Sequence, residues 1–176
     1  MDRLAGARST GAMTFSPYLL ATAAAAVSSA AVGVLFRAFS TFVMRGLDRA
    51  EADEAIAAMR VINAEAQANA PFLVLFVGSA LVALGVGAVA VFRLPQPGAG
   101  YVAAGAALTL VAFVVTVAFN VPLNNRLAAV DPRGLSAVDA LREWRGYLGP
   151  WTAWNHVRTA APLLGSVLML VGARHP

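Results

Sequence analysis

The sequence predicts an all-α integral membrane protein: a four-helix bundle with amphipathic helical segments capping one face. Two observations support this fold class. Of the 176 residues, 59% are hydrophobic and only 12% are charged, about half the charged fraction of a typical soluble domain. In addition, four apolar stretches approach the roughly 20 residues that a helix needs to cross the hydrocarbon core of a membrane. These stretches are Tyr18–Phe36, Pro71–Phe92, Tyr101–Phe119 and Val157–Ala173.

The four predicted spans are rich in small residues, which is typical of helices whose backbones pack closely in lipid. We expect residues 1–16 to form an N-terminal tail and residues 17–176 a single four-transmembrane-helix domain. The first apolar stretch exceeds the roughly 7–15 residues of a signal-peptide core, so we expect it to be retained as a helix. Met13 is an alternative start of the chain.

The connections between the spans differ in kind. Residues 93–100 read RLPQPGAG, a turn that predicts an antiparallel hairpin of the second and third spans. Residues 45–70 and 120–155 are longer and carry apolar side chains at helical spacing. Ser136, three residues before Asp139, resembles the start of a helix capping box. Both long connections lie on the same side of the bundle, and we call them the cap; a functional site is expected beneath it.

Composition limits the classes of function. The chain has no Cys, which excludes a disulfide scaffold, a zinc–thiolate site and a Cys nucleophile. Two His are too few for a readable metal cluster, so no metal site is predicted. All 13 basic residues are Arg, spread thinly between apolar runs, and we expect no nucleic-acid partner. More of these Arg fall on the capped side, so the positive-inside rule places the cap in the cytoplasm.

Polar side chains gather in three clusters at the capped ends of the spans, where an unpaired polar group in lipid is costly. The clusters are residues 59–69, 119–126 and 151–159. If the third helix continues past Pro122, Asn120 and Asn124 share a face. Pro122 then frees a backbone carbonyl near Ala118 that an Asn amide is expected to bind. Trp151, Asn155 and Arg158 fall on one helical stripe, with His156 about 100° to the side.

We expect Asn63, Asn155 and either Asn120 or Asn124 to converge in one polar pocket, and Trp144 to be at least half buried near them. Structural alternatives stay open for every candidate. Asn and Trp commonly pack at membrane interfaces. A lone His such as His156 is often a hydrogen-bonded bystander, and Glu65 can be a solvated carboxylate. Arg158 either extends to the interface or is held in a polar pocket for function.

Three motifs in this order resemble a known family. They are Asn63 preceded by Ile, the run NVPLNN at residues 120–125, and WNHVRT at residues 154–159. Over about residues 33–172 the chain is similar to the DUF1772 family, also called the anthrone oxygenase-like family. The resemblance implies a small four-helix membrane protein. For characterised fungal members it implies oxidation of an anthrone to an anthraquinone with O₂ and without a cofactor. The Arg-rich, Lys-free composition is typical of a GC-rich bacterium, so the substrate stays open.

Under this resemblance the chemistry requires a base, donors for an oxyanion and a flat apolar pocket. His156 or Glu65 is then the expected base, and Arg158 with Asn amides holds the oxyanion. The Trp rings are expected to face the aromatic substrate. The expected catalytic residues are His156, Arg158 and Glu65. The expected substrate-binding residues are Asn63, Asn120, Asn124, Trp144, Trp151, Trp154 and Asn155.

Three functional classes stay open from the sequence. The first is a membrane-embedded, cofactor-independent oxygenase whose partners are a lipophilic aromatic substrate, O₂ and the lipid bilayer. The second is a non-catalytic scaffold or accessory subunit, for which scattered, exposed Asn and Trp side chains are expected. The third is a small-molecule transporter, which predicts a charge at the membrane midplane. We expect a multi-pass protein of the bacterial cytoplasmic membrane, and a homo-oligomer stays open.

Overall fold

The structure is a computed structural model that describes residues 16–175. Its helices are α1 (Pro17–Leu47), α2 (Ala52–Ala68), α3 (Ala70–Phe92), α4 (Ala99–Ala128) and α5 (Ala137–Ala173). No strand occurs within residues 16–175. Helices α1, α3, α4 and α5 are long and apolar enough to cross a membrane, which confirms the predicted all-α membrane helical bundle. The expected tail lies outside the described residues, apart from Ser16, which caps α1.

The four long helices form a ring in which α1 and α4 each pack against both α3 and α5. The turn between α3 and α4 makes these two helices an antiparallel hairpin, as predicted. Gly98 in this turn has a φ of 81°, in the left-handed region that favours glycine. A Cβ there would also collide with the Gly172 carbonyl oxygen, so both backbone conformation and space require glycine at this position.

Helices α4 and α5 approach closely where Gly105 and Gly165 face each other. A Cβ on Gly105 would lie 2.5 Å from the carbonyl oxygen of Gly165, and one on Gly165 would lie 2.6 Å from that of Gly105. Ser29 of α1 joins this contact, since its hydroxyl hydrogen-bonds Thr109 Oγ1 at 2.7 Å and the Pro162 carbonyl at 2.9 Å. Small and hydroxyl-bearing residues therefore hold α1, α4 and α5 together inside the apolar region.

Three of the helices run beyond the apolar stretches and into the cap. Helices α1 and α4 each contain one π-helical turn there, Phe39–Val43 and Thr116–Asn120. In α4 the Val121 N–H bonds the Thr116 carbonyl, and the helix then continues through Pro122 to Ala128. Because π-helical turns insert one residue and re-aim the side chains beyond them, they set which faces of α1 and α4 point into the bundle.

The cap folds onto the bundle around a buried apolar cluster that includes Ile56, Met59 and Trp144. Trp144 is 2% exposed, so the expected burial is confirmed. Its indole N–H donates to Asp48 Oδ1 at 3.0 Å, which ties the start of α5 to the end of α1 rather than to Asn120. Arg60 of α2 adds a second tie by donating to a carbonyl of the connection between α4 and α5.

The glycine contact between α4 and α5 generates a stability prediction. Gly165→Ala places a methyl group 2.6 Å from the Gly105 carbonyl oxygen, so the helices must separate at an overpacking cost of about 1–3 kcal/mol. We expect the thermal unfolding midpoint of the detergent-solubilised protein to fall. Gly85→Ala is the control, since a Cβ on Gly85 meets nothing within 4 Å. Equal midpoints for the two variants would contradict the close helix contact.

Candidate functional site

A cavity of about 610 Å³ lies in the capped half of the bundle and is lined by residues from all five helices. Its volume is within the range of small-molecule sites. Much of its wall is aromatic: the Phe72 and Phe76 rings are stacked with centroids 5.7 Å apart, and Phe36 meets Phe76 edge-on at 5.6 Å. The polar residues of the lining are Asn63, Glu65, Gln67, Asn69, Thr116, Asn124 and Arg158.

Arg158 is the charged group of this cavity that is buried, with an exposed fraction of 5%. Its Nε donates to Asn155 Oδ1 at 2.7 Å and its Nη1 to Thr116 Oγ1 at 3.4 Å. Its Cζ lies 4.2 Å from the ring centroid of Phe36 and 4.8 Å from that of Trp151. Within residues 16–175 no carboxylate lies close enough to form a salt bridge with it. Aromatic faces and neutral oxygens therefore stabilise the cation, and a ligand anion would meet a charge without a counter-ion.

Asn155 fixes the position of Arg158 and is itself fully buried. Its Nδ2 donates to the Phe36 carbonyl at 2.7 Å and also to Ser40 Oγ. Both acceptors belong to the segment of α1 at its π-helical turn. Since Nδ2 is occupied by two acceptors, Oδ1 faces the guanidinium, and the amide joins α1 to the cation on α5.

Helix α4 holds Trp151 at two points. Asn120 Nδ2 donates to the Trp151 carbonyl at 3.2 Å, and the Trp151 indole N–H donates to Asn124 Oδ1 at 2.9 Å. The helix does continue past Pro122 with both Asn on one side, as predicted. The expectation that an Asn amide binds the carbonyl near Ala118 is wrong for Asn120. Its Nδ2 crosses to α5, because the π-helical turn ending at this residue aims the side chain at Trp151.

Most of the predicted polar residues form one connected set. Tyr147 links Asn63 to Asn124: its hydroxyl accepts from Asn63 Nδ2 at 3.5 Å and donates to Asn124 Oδ1 at 2.9 Å. Trp151 connects these hydrogen-bonded residues to Arg158, whose guanidinium lies over the face of its ring. Asn63, Asn124, Trp151 and Arg158 line the cavity, whereas Asn120 and Asn155 lie behind its wall. Glu65 also lines the cavity and is exposed.

Three predicted site residues lie elsewhere. His156 is exposed and is not part of the cavity wall, because it is one residue from Asn155 and therefore about 100° around α5. Trp144 is buried in the cap against Asp48, and Trp154 stacks on Phe119 with ring centroids 3.7 Å apart. The structure thus corrects the expectation that His156, Trp144 and Trp154 share a pocket with Arg158.

Sequence reasoning missed three residues that build the site. Tyr147 precedes Trp151 by four positions, so it extends the stripe already recognised on α5 and could have been found by the same spacing. Thr116 lies in an apolar run where a single hydroxyl residue gives little signal. Phe36 lies in a continuous apolar span, and nothing in its sequence position separates a ring beside a cation from one facing lipid. Within residues 16–175 no group of three His, Cys, Asp or Glu side chains is placed to hold a metal.

Comparison with known proteins identifies the family of the chain. A family model described as anthrone oxygenase matches residues 59–168, more than half of the chain. The chain belongs to the anthrone oxygenase family. No curated protein and no solved structure matches it. The matched region includes every polar residue that lines the cavity, and α1, which contributes Phe36 and Phe39 to the wall, precedes it.

The bonds of Asn155 lead to a second stability prediction. Asn155→Ala leaves the Phe36 carbonyl and the Arg158 Nε without their side-chain partner, and each buried polar group left unpaired costs about 1–3 kcal/mol. We expect a lower thermal midpoint in detergent and a smaller folded yield from membranes. Asn125→Ala is the matched control because Asn125 is exposed. An Asn155→Ala protein as stable as the control would contradict the role assigned to this amide.

Proposed function

We propose that the protein is a membrane-embedded oxygenase that oxidises a lipophilic aromatic ketone of the anthrone type with O₂ and without a cofactor, in the cytoplasmic membrane of a bacterium. The observation that carries the proposal is the buried Arg158, which lines a cavity of about 610 Å³ and has no carboxylate partner within residues 16–175. Membership of the anthrone oxygenase family supports the reaction class. The convergence of Asn and Trp side chains favours a site over a scaffold with scattered polar residues.

The reaction balances without an external reductant. An anthrone has a CH₂ group between two aryl rings, opposite a ketone, and loss of one proton gives an enolate with its charge on the ketone oxygen. This electron-rich carbon adds O₂, and protonation gives a hydroperoxide. Loss of water from the hydroperoxide leaves a second carbonyl. One oxygen atom of O₂ becomes the carbonyl and the other leaves as water, with all four electrons coming from the substrate carbon.

Arg158 is the proposed donor to the enolate oxygen. Its position is fixed by Asn155 and by the faces of Phe36 and Trp151 before any ligand binds. A fixed cation in an apolar cavity stabilises a developing negative charge strongly, because little solvent reorganisation is needed. Deprotonation of the substrate creates such a charge, so the enolate is bound more tightly than the neutral ketone, which lowers the barrier of the first step.

Glu65 is the proposed base. It lines the cavity from α2 and is exposed, so it reaches both a bound ligand and water, to which the abstracted proton is passed. His156, the other candidate base, lies outside the cavity. Exposed apolar residues such as Leu73, Val77 and Val117 also belong to the cavity lining. This supports access for substrate and O₂ directly from the bilayer, where both are more soluble than in water.

Substitutions of Arg158 test the proposed function. Arg158→Gln removes the charge, and we expect turnover of anthrone to fall by about 100-fold or more, as when an oxyanion donor is lost. Arg158→Lys keeps the charge without the planar fork and should retain a small part of the activity. Purified protein in lipid nanodiscs is given anthrone and hydroxylated anthrones under O₂, following anthraquinone absorbance and O₂ consumption, with empty nanodiscs correcting for autoxidation.

His156→Gln is the control for these variants, and its turnover should equal that of the wild type because His156 is outside the cavity. The folded yield of each variant is measured alongside. Wild-type turnover by Arg158→Gln would remove Arg158 from the site. Absence of wild-type turnover across the anthrone panel would overturn the proposed reaction.

The base is tested separately. Glu65→Gln removes the proton acceptor at similar size, and we expect kcat to fall by about 10² to 10⁴-fold while the folded yield is unchanged, since the side chain is exposed. Glu54→Gln changes the same charge on the same helix at an exposed position outside the cavity and should leave kcat unchanged. Equal turnover by the two variants would exclude Glu65 as the base.

A further inference from the structure

The amide of Asn124 has a defined orientation. Its Oδ1 accepts two hydrogen bonds of 2.9 Å, one from the Tyr147 hydroxyl and one from the Trp151 indole N–H. An indole nitrogen can only donate, so the atom that faces it must be the amide oxygen. The alternative placement, with the amide nitrogen turned toward Trp151, would set two donors against each other.

The direction of the Tyr147 bond supports the same orientation. The Tyr147 hydroxyl also accepts from Asn63 Nδ2 at 3.5 Å, so its single proton is free to point at Asn124. With Oδ1 occupied by two donors, the amide nitrogen is the polar group that Asn124 has left to offer. Within residues 16–175 it donates to no protein acceptor, and Asn124 lines the cavity.

We propose that Asn124 is a second donor to ligand oxygen in the Arg158 cavity, and that Tyr147 and Trp151 are positioning residues that keep its amide nitrogen available to the ligand. Trp151 brings the two donors together, since its ring lies under the Arg158 guanidinium and its N–H binds Asn124. Two fixed donors beside an aromatic wall favour planar aromatic molecules that carry carbonyl oxygens over hydrocarbons of the same shape.

The choice of probe rests on the proposed function, but the assignment of the donor is tested by binding, without turnover. The probes are anthraquinone and anthracene, which share three fused rings and differ in the two carbonyl oxygens. Binding to the protein in nanodiscs is followed by quenching of tryptophan fluorescence. The quantity compared between variants is the ratio of the two dissociation constants.

Asn124→Asp is the decisive variant. A carboxylate still accepts from both Tyr147 and Trp151, but the donor to the ligand is lost. The new charge also faces the cavity of Arg158, so Tyr147→Phe, which adds no charge, must change the ratio of the constants in the same direction. We expect anthraquinone to bind at least about tenfold more weakly, equivalent to about 1.4 kcal/mol, and anthracene to bind within about twofold of the wild type. Asn125→Asp introduces the same charge at the exposed neighbouring position and should change neither constant.

Tyr147→Phe tests the positioning role, because it removes the hydroxyl that holds Asn124 and keeps the ring. A loss of about threefold in anthraquinone affinity, with anthracene unaffected, is expected; a purely structural role would weaken both probes alike or only lower the thermal midpoint. If Asn124→Asp does not accumulate as folded protein, Tyr147→Phe alone tests whether Asn124 donates to the ligand. An unchanged ratio of constants in the variants that fold would overturn the inference.

The outcomes also separate this inference from the proposed function. A wild-type protein that prefers anthraquinone, loses that preference in Asn124→Asp and oxidises no anthrone would retain the donor assignment and overturn the oxygenase reaction. If the wild type oxidises anthrones but Asn124→Asp leaves the ratio of the two dissociation constants unchanged, the oxygenase reaction would be retained and the donor assignment overturned. Binding of neither probe by the wild type would overturn the donor assignment, and the oxygenase reaction would then stand or fall by turnover of the anthrone panel.

Discussion

The arrangement of polar side chains in the capped half of the bundle depends on one buried cation, Arg158. The Arg158 guanidinium does not lose its proton in a protein, and burying an unpaired charge costs several kcal/mol. Two aromatic faces and the oxygens of Asn155 and Thr116 offset that cost. Each partner is then held by a further contact: Asn155 by the backbone of α1, and Trp151 by the amides of α4. The polar network in an otherwise apolar bundle is therefore organised around the stabilisation of a single charge.

Two π-helical turns bring side chains of α1 and α4 into hydrogen-bonding contact with this network. Ser40 and Thr116 each belong to a π-helical turn, and they bind Asn155 and Arg158 respectively. A regular α-helix in α1 or α4 would present a different face at this level, since each inserted residue rotates the remainder of the helix by about 100°. The turn in α4 ends directly before Val121 and Pro122. This local irregularity aims the amides of α4 at Trp151.

How far the sequence predicts this arrangement depends on the range of the interactions. The membrane bundle, the tight hairpin and the amphipathic cap follow from hydropathy and spacing within single segments, and so does the stripe of Trp151, Asn155 and Arg158 on one helix. The contribution of Phe36 could not be predicted, because all residues of an apolar span look alike until the packing of α1 against α5 is known. The misplacement of His156 has a related origin: membership of a polar cluster says little about which side of the helix faces the cavity. The hydrogen-bond partner of Trp144 could not be predicted either, because Asp48 is 96 positions away in the chain and lies beside it only in the folded cap.

The two ends of the bundle are packed by different kinds of residue, and the cavity of about 610 Å³ lies toward the capped end. Toward the bare end, α4 and α5 touch backbone to backbone at Gly98 and Gly172 and at Gly105 and Gly165. Toward the capped end α5 presents Trp151 and Arg158 instead, and both side chains line the cavity together with residues of the cap. The polar network therefore lies where α5 carries large side chains, and the glycine contacts lie toward the opposite end. Asn155 and Asn124 hold Arg158 and Trp151 by hydrogen bonds, so the cation is positioned before a ligand binds. This is the condition under which a fixed charge stabilises a developing oxyanion most strongly.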